Sequence, residues 1–138
     1  MKVKDACVMI VDDDQIFNLM TRLQLNHAGI SERPYTFTNG KEALSFIAEH
    51  SHSHIPILLF LDINMPGISG WQVLDQLDRF GAQRKIYVII VTSSIDSADQ
   101  QRATSYRHVV GYFVKPLKYE QVLSLKQIAA LSELFILP

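Results

Sequence analysis

The sequence has a single cysteine, Cys7, in 138 residues. A lone thiol excludes an internal disulfide framework and suits a reducing compartment. No apolar run approaches the roughly 20 residues that a membrane-spanning helix needs. The amino end, MKVKDACVMIVDDD, follows its short apolar stretch with three acids, where a secretory signal would place small residues. An excess of one charge is also missing: 13 Lys and Arg against 14 Asp and Glu leave a formal net charge of −1. Nothing in that balance draws the chain to nucleic acid or to an anionic membrane. Internal repeats, linkers and low-complexity tracts are absent as well. What remains is an ordinary mixture, 48% hydrophobic and 20% charged, at a length suited to one sizeable core. The expectation is a soluble cytoplasmic protein with residues 1–138 forming one domain.

The pattern that is present is alternation. Four apolar runs, Ala6–Val11, Ile57–Leu61, Ile86–Val91 and Val109–Val114, are rich in branched and aromatic residues and hardly alternate. They predict strands buried on both faces. Pro34–Thr38 (PYTFT) is more polar and predicts an edge strand. Helical spacing fills the gaps. Ile16, Leu19, Met20 and Leu23 anchor a first helix closed at Gly29, and Ala43, Leu44, Ile47 and Ala48 a second, entered through Asn39-Gly40. Trp71, Leu74, Leu77 and Phe80 anchor a third, closed by Gly81, and Val122, Leu125, Ile128 and Ala129 a last one reaching Leu131. Residues 97–107 offer only Ala98, Ala103 and Tyr106 to a core, so this fourth helix is expected to be weakly held and able to shift. The order βαβαβαβαβα argues for a parallel sheet with helices on both faces. In the flavodoxin-like doubly wound (βα)5 arrangement, strand order 2-1-3-4-5, the crevice lies at the carboxyl ends of the first and third strands.

The strand ends are where the chemistry collects. The first ends in Asp12-Asp13-Asp14, the third in Asp62, the fourth in Thr92-Ser93-Ser94 and the fifth in Lys115-Pro116. For two carboxylates about 4 Å apart, repulsion is about 4 kcal/mol at an effective dielectric of about 20, and about 1 kcal/mol in bulk water. A lone Lys offsets part of this and a divalent cation more. Oxygen ligands without His or Cys favour Mg2+ or Mn2+ over Zn2+. A carboxylate beside such a cation, a hydroxyl and an ammonium together make a site for a phosphoryl group.

These motifs, VDDD at 11–14, LDINMPGISG at 61–70, VTS at 91–93 and GYFVKP at 111–116, resemble the receiver domain of bacterial two-component response regulators. The resemblance spans almost the whole chain and its motifs fall in order. It implies that Asp62 is the phosphoacceptor, attacking the phosphoryl group of a phosphohistidine on a sensor histidine kinase or phosphotransfer protein. It implies that Asp12 and Asp13 hold Mg2+, together with Asp62 and the backbone carbonyl of Asn64. Thr92 and Lys115 would take phosphoryl oxygens, and Pro116 would follow a cis peptide that aims Lys115 inward. Gly67 and Gly70 would let the loop turn back to start the third helix. Thr92 and Tyr112 would form the switch, read out on the face made by the fourth helix, fifth strand and fifth helix. Phosphoryl lifetime would be tuned at Asn64 and Ser94. The downstream target would be a protein, a phosphorylation-dependent homodimer being one form of output; direct nucleic-acid binding and membrane association are not expected. Such a protein is a signalling phosphoacceptor rather than an enzyme, and too few residues come after the last helix for a DNA-binding domain. A receiver cut from a longer regulator would look the same.

One departure stands out: receivers carry a small Ala/Gly-rich stretch before the fifth strand, whereas this chain has Tyr106-Arg107-His108. This puts a question over the end of the fourth helix and any dimer surface there. Elsewhere plain readings suffice. Asp14 suits a helix N-cap, Cys7 a buried small hydrophobe, His50, His52 and His54 a solvated loop, and Arg84-Lys85 a solvated turn. The tail Leu131–Pro138 (LSELFILP) is expected to finish the last helix against the sheet, the alternative being that it exposes Leu134, Phe135 and Ile136 to a partner. Other functions fit less well. An aspartyl-phosphate hydrolase of the haloacid dehalogenase type places its nucleophile in a D-x-D-x-T run after the first strand. In a flavodoxin, the DDDQ turn would repel the cofactor phosphate. A phosphorylation-independent scaffold would tolerate loss of an acid or the Lys, and none is lost.

Overall fold

Five parallel strands make one sheet in the order β2-β1-β3-β4-β5: β1 (Cys7–Val11), β2 (Tyr35–Phe37), β3 (Ile57–Leu61), β4 (Ile86–Thr92) and β5 (Val109–Val114). Between and after them run α1 (Gln15–His27), α2 (Gly40–Glu49), α3 (Gly70–Leu77), α4 (Ser97–Ala103) and α5 (Tyr119–Ser124). This is the expected flavodoxin-like order. The computed structural model describes residues 6–50, 54–80 and 84–135. Gly81, His52, Ile136 and the side chain of Phe80, on which expectations were placed, lie outside them.

Successive side chains of a strand point to opposite faces, and each face has its own core. Met9, Val11, Leu59, Leu61, Val88 and Ile90 pack with Ala43, Ile47, Val73, Leu74 and Leu77 of α2 and α3. Val8, Ile10, Leu58, Phe60, Ile89 and Val91 pack on the other face with Leu25 of α1 and Val122 and Leu125 near the carboxyl end. Covering both faces removes the need for polar alternation, which is why β1, β3 and β4 read as continuous apolar runs. β5 is the exception. Every one of its residues is only half-buried, because it closes the sheet on one side as β2 does on the other.

The stripe expected to anchor α1 is on the wrong side. Ile16, Leu19, Met20 and Leu23 are 67%, 52%, 43% and 58% exposed. The buried face carries Asn18, Thr21 and Leu25 instead. Asn18 sets the rotation: its Nδ2 donates to the carbonyls of Asp12 at 2.9 Å and Phe37 at 3.2 Å, tying α1 to the ends of β1 and β2. Asp14 is the N-cap, accepting from the Ile16 N–H, and Gly29 comes just after the C-cap with φ 73. In α2 the exposed Ala48 gives its place to Phe46, whose ring meets Tyr35 and Phe37 of β2.

The carboxyl end also differs from expectation. α5 stops at Ser124, and two 3₁₀ segments, Leu125–Gln127 and Ala129–Leu134, complete it around an extended Ile128. Val122, Leu125, Ile128, Leu131 and Leu134 all contribute to one core, recurring every third residue. An α-helix would rotate such a series by about 60° per step, whereas 3₁₀ geometry, at about 3.0 residues per turn, keeps it in line. Leu134 is buried and Phe135 packs beside it, as expected of the tail.

α4 ends at Ala103, short of the expected Arg107. The turn beyond it docks on α3: Tyr106 stacks on Trp71 with centroids 5.7 Å apart and donates to Asp75 at 3.0 Å. The Arg102 guanidinium lies 4.4 Å from the Trp71 ring centroid. His108 is buried, its Nδ1 3.2 Å from the Ile86 carbonyl and its Nε2 3.3 Å from Asp78 Oδ1. Arg84, read as a solvated turn, is buried and donates to the His50 carbonyl. That contact with the end of α2 takes its side chain out of water. Cys7 is half-buried and unbridged, and burial pushes its thiol pKa up against the opposing pull of Arg84.

Tyr87 on β4 donates to Glu133, which also pairs with Lys85. Burial, then Glu133, pushes the Tyr87 phenol from 10.0 up to about 12. The unfolded chain releases that proton near its ordinary pKa while the folded chain keeps it, so the stability concerned is intact below pH 10 and is lost as pH rises through about 12. In urea unfolding monitored from about pH 9.5 upward, Tyr87→Phe is expected to show a shallower alkaline loss than the wild type; equal slopes would contradict the assignment.

Candidate functional site

Strand register brings the reactive side chains together. Val11 pairs with Leu61, Leu61 with Ile90 and Thr92 with Val114, so Asp12, Asp62, Thr92 and Lys115 stand at the ends of adjacent strands on one edge. One carboxylate oxygen from each of Asp12, Asp13 and Asp62 can be chosen so that all lie within 4.8 Å of one another. Asp12 and Asp62 are 5% and 4% exposed, while Asp13 faces water. The Lys115 ammonium sits between the two buried acids, 2.6 Å from Asp12 Oδ2 and 3.2 Å from Asp62 Oδ2. Its desolvation favours the neutral amine, but the two carboxylates outweigh this and the pKa stands above the ordinary lysine value. Burial pushes Asp12 above the ordinary carboxylate value; Lys115 and the Asp14 N–H oppose it and the Asp62 charge adds to it.

Both Asp62 oxygens have defined neighbours. Oδ2 takes Lys115, and Oδ1 accepts the Asn64 N–H at 3.1 Å. Asn64 also reaches Thr92, its Nδ2 donating to Oγ1 at 3.4 Å, and the Ser94 N–H approaches the same oxygen at 3.4 Å. Thr92 is fully buried. Ser94 is the junction to the rest of the fold: its hydroxyl donates to Asp99 in the first turn of α4 at 2.6 Å, and its carbonyl accepts from the Tyr112 hydroxyl at 3.3 Å. Burial raises the Tyr112 pKa, and the charges of Asp99, Asp96 and Asp62 add to it. The Lys115–Pro116 peptide is cis, as expected. All nine residues singled out from the sequence (Asp12, Asp13, Asp62, Asn64, Thr92, Ser94, Tyr112, Lys115 and Pro116) therefore belong to this edge or to the loops and strand beside it.

The loop after Asp62 is held by a close approach. The Gly70 N–H donates to the Ile63 carbonyl at 3.0 Å, and Ser69 and Gln72 form a capping box at the start of α3. A Cβ on Gly70 would lie 2.5 Å from both the Asp62 carbonyl oxygen and the Ile63 Cα, which is backbone that cannot swing aside. Gly67, with φ 75, makes the turn.

Two neighbours of the site escaped sequence reasoning. Phe17 lies against Lys115, the ammonium 4.2 Å from the ring centroid. Asn18 holds the Asp12 carbonyl. The readable signal was a second helical stripe, Phe17/Asn18, Thr21, Leu25 and Ala28, which competes with the more apolar one facing water.

The donor set suits a hard divalent cation. All its atoms are oxygens, and three carboxylates against one ammonium leave two negative charges for the cation to balance.

A profile of the response regulator receiver domain matches residues 8–127. In a curated relative from Methanothrix harundinacea, named probable methanogenesis regulatory protein FilR2, 117 residues are 29% identical, covering 83% of this chain and 75% of the relative. The transcriptional regulatory protein MalR of Bacillus subtilis is 30% identical over 83% of this chain, which spans only 46% of it. An uncharacterized response regulatory protein of Staphylococcus epidermidis is 35% identical over 64% of this chain, which spans 32% of it. Among solved structures, a two component response regulator from Cytophaga hutchinsonii superposes with a TM-score of 0.79 at 30% identity, covering 92% of this chain and 96% of that one. The bacteriophytochrome response regulator RtBRR, at 24% identity, shares the fold with a TM-score of 0.79 over 98% of this chain and 82% of its own.

Gly70→Ala is expected to lower unfolding stability by about 1–3 kcal/mol, the usual cost of overpacking. It should also displace Asp62, shifting the Asp62 and Asn64 amide resonances more than those of β5. An unshifted Asp62 would show that the contact at Gly70 does not set its position.

Proposed function

The chain belongs to the response regulator receiver domain family, and on that premise we propose that it is a phosphorylation-switched receiver whose acceptor is Asp62. The phosphodonor is the phosphohistidine of a sensor histidine kinase or phosphotransfer protein. An Asp62 oxygen attacks the phosphorus, the N–P bond breaks, and its electron pair stays with the departing imidazole. The observation that carries this reading is the Lys115 ammonium lying across Asp12 and Asp62 in a pocket still two charges short of neutrality. Phosphoryl transfer asks a protein mainly for positioning and charge neutralisation.

The residues divide that work. Lys115 Nζ already holds Asp62 Oδ2 and needs only a small displacement to meet a phosphoryl oxygen. Thr92 Oγ1 is used as an acceptor by Asn64 and Ser94, which leaves its proton for another phosphoryl oxygen. Asp12, Asp13, Asp62 and the Asn64 carbonyl would hold Mg2+, with Mn2+ as a substitute; when bound, the cation supplies charge neutralisation of the phosphoryl oxygens. Asn64 and Ser94 border the acceptor and tune how long the phosphoryl group lasts.

The donor must come over the carboxyl edge of the sheet, beside the start of α1. From that end along α1, Ile16, Leu19, Met20 and Leu23 stand in water, an apolar surface suited to the helices of a protein donor. Signal output begins at Thr92. Drawing its hydroxyl toward the phosphoryl group pulls on the Asn64 and Ser94 contacts, and Ser94 passes the change to Asp99 of α4 and to Tyr112 of β5. The face of α4, β5 and α5 then meets a protein target or a second copy of the chain. Among the described residues no helix is long and apolar enough to cross a membrane.

Intact mass after incubation with Mg2+ and acetyl phosphate should show one added phosphoryl group, absent when Mg2+ is omitted and absent in Asp62→Asn. No adduct on the wild-type chain, together with failure to bind beryllofluoride, would reject Asp62 as acceptor and favour a phosphorylation-independent scaffold.

A further inference from the structure

Among the described residues the Lys115 ammonium meets Asp12, Asp62 and Phe17, and the last of these is not a carboxylate. Asp12 and Asp62 take two of its N–H directions, and the face of Phe17, on the first turn of α1, lies 4.2 Å from Nζ. The lysine side chain is only 8% exposed, so the ring and the ammonium meet largely without intervening water. In that setting the negative face of an aromatic ring attracts a cation more strongly than at the surface.

The three neighbours behave differently during phosphorylation. Asp62 becomes an acyl phosphate and loses its carboxylate charge. Asp12 turns part of its charge to a cation. The ring cannot be phosphorylated, protonated or metallated, so its negative face is the same before and after transfer. We propose that Phe17 is a positioning residue for Lys115, holding the ammonium over the acceptor while the hold of its carboxylate partners weakens. The inference rests on the reading of Asp62 as phosphoacceptor and adds a residue that the four sequence motifs do not contain.

The test compares Phe17→Leu, which removes the ring at similar volume, with Phe17→Tyr, which keeps it. Two readouts are measured, the rate of phosphorylation by acetyl phosphate from intact mass and the Lys115 Hε resonances. Phe17→Leu is expected to slow phosphorylation by about five- to thirtyfold, the range a partly or fully desolvated cation–π contact supports. Phe17→Tyr should stay within about twofold of wild type. The Hε protons should be shifted upfield by the ring current in wild type and Phe17→Tyr, with and without Mg2+ and beryllofluoride, and not in Phe17→Leu. In a Lys115→Met background, assayed by beryllofluoride affinity, Phe17→Leu should have no further effect.

Equal rates for wild type and Phe17→Leu would overturn the inference. So would loss of the upfield shift on adding beryllofluoride, or an undiminished Phe17→Leu effect without Lys115, which would make the ring mere packing. A wild-type chain that takes no phosphoryl group would overturn the acceptor reading and this inference with it. A wild type that reacts, with Phe17→Leu reacting equally, would leave the acceptor reading standing. Unfolding midpoints for each variant separate a lost fold from a displaced lysine.

Discussion

Everything at the reactive edge depends on one shared ammonium. Two acids that keep only about one-twentieth of their surface exposed would repel each other and resist desolvation. Lys115 reconciles them by bonding both: the two carboxylates hold its pKa above the ordinary lysine value, while Lys115 opposes the upward push of burial on Asp12. A fully neutralised pocket would have no use for a further cation or phosphoryl group. This one keeps an excess of negative charge and also holds a cation that can change partners.

That arrangement is a product of topology. Parallel strands in this order deliver acids from β1 and β3, a hydroxyl from β4 and an ammonium from β5 to the same edge. The helices then constrain the delivery. Asn18 of α1 bonds the Asp12 carbonyl, and the close seat of Gly70 against the Asp62 carbonyl fixes the loop after β3. The links outward from this edge follow the same logic. Ser94 joins Thr92 to α4 and β5 through hydrogen bonds rather than apolar contact. Such links can be broken and remade at modest cost.

Much of this was legible in the residues because strands buried on both faces leave short, unbroken apolar runs, and because the motifs sit where those runs end. The strand limits differ from the expected ones by a residue at most. Helix faces were less readable. α1 offers two stripes at helical spacing, and counting apolar residues selects the one that faces water, since the inner one is built on Asn18 and Thr21 and anchored by hydrogen bonds. The carboxyl segment carries a three-residue period that looks helical over one turn and diverges from it over four. Phe17 could not be assigned from spacing, because its partner Lys115 is distant in sequence and meets it only where the carboxyl end of β5 reaches the start of α1. Tyr106, Arg107 and His108 were marked as a departure, and their use is now visible: they attach the end of α4 to Asp75 and Asp78 on the α3 side.

The same attachment gives the molecule a built-in optical reporter. Trp71 is the sole tryptophan of the chain, and it is in contact with both the Arg102 guanidinium and the Tyr106 ring. Indole emission responds to a nearby charge and to stacking, and both partners belong to α4 or the turn just after it. Any rearrangement that lifts α4 from α3 therefore changes the colour and yield of the protein's own fluorescence, while one that moves only the start of α4 leaves the signal unchanged. The two kinds of movement can be distinguished in the unlabelled protein.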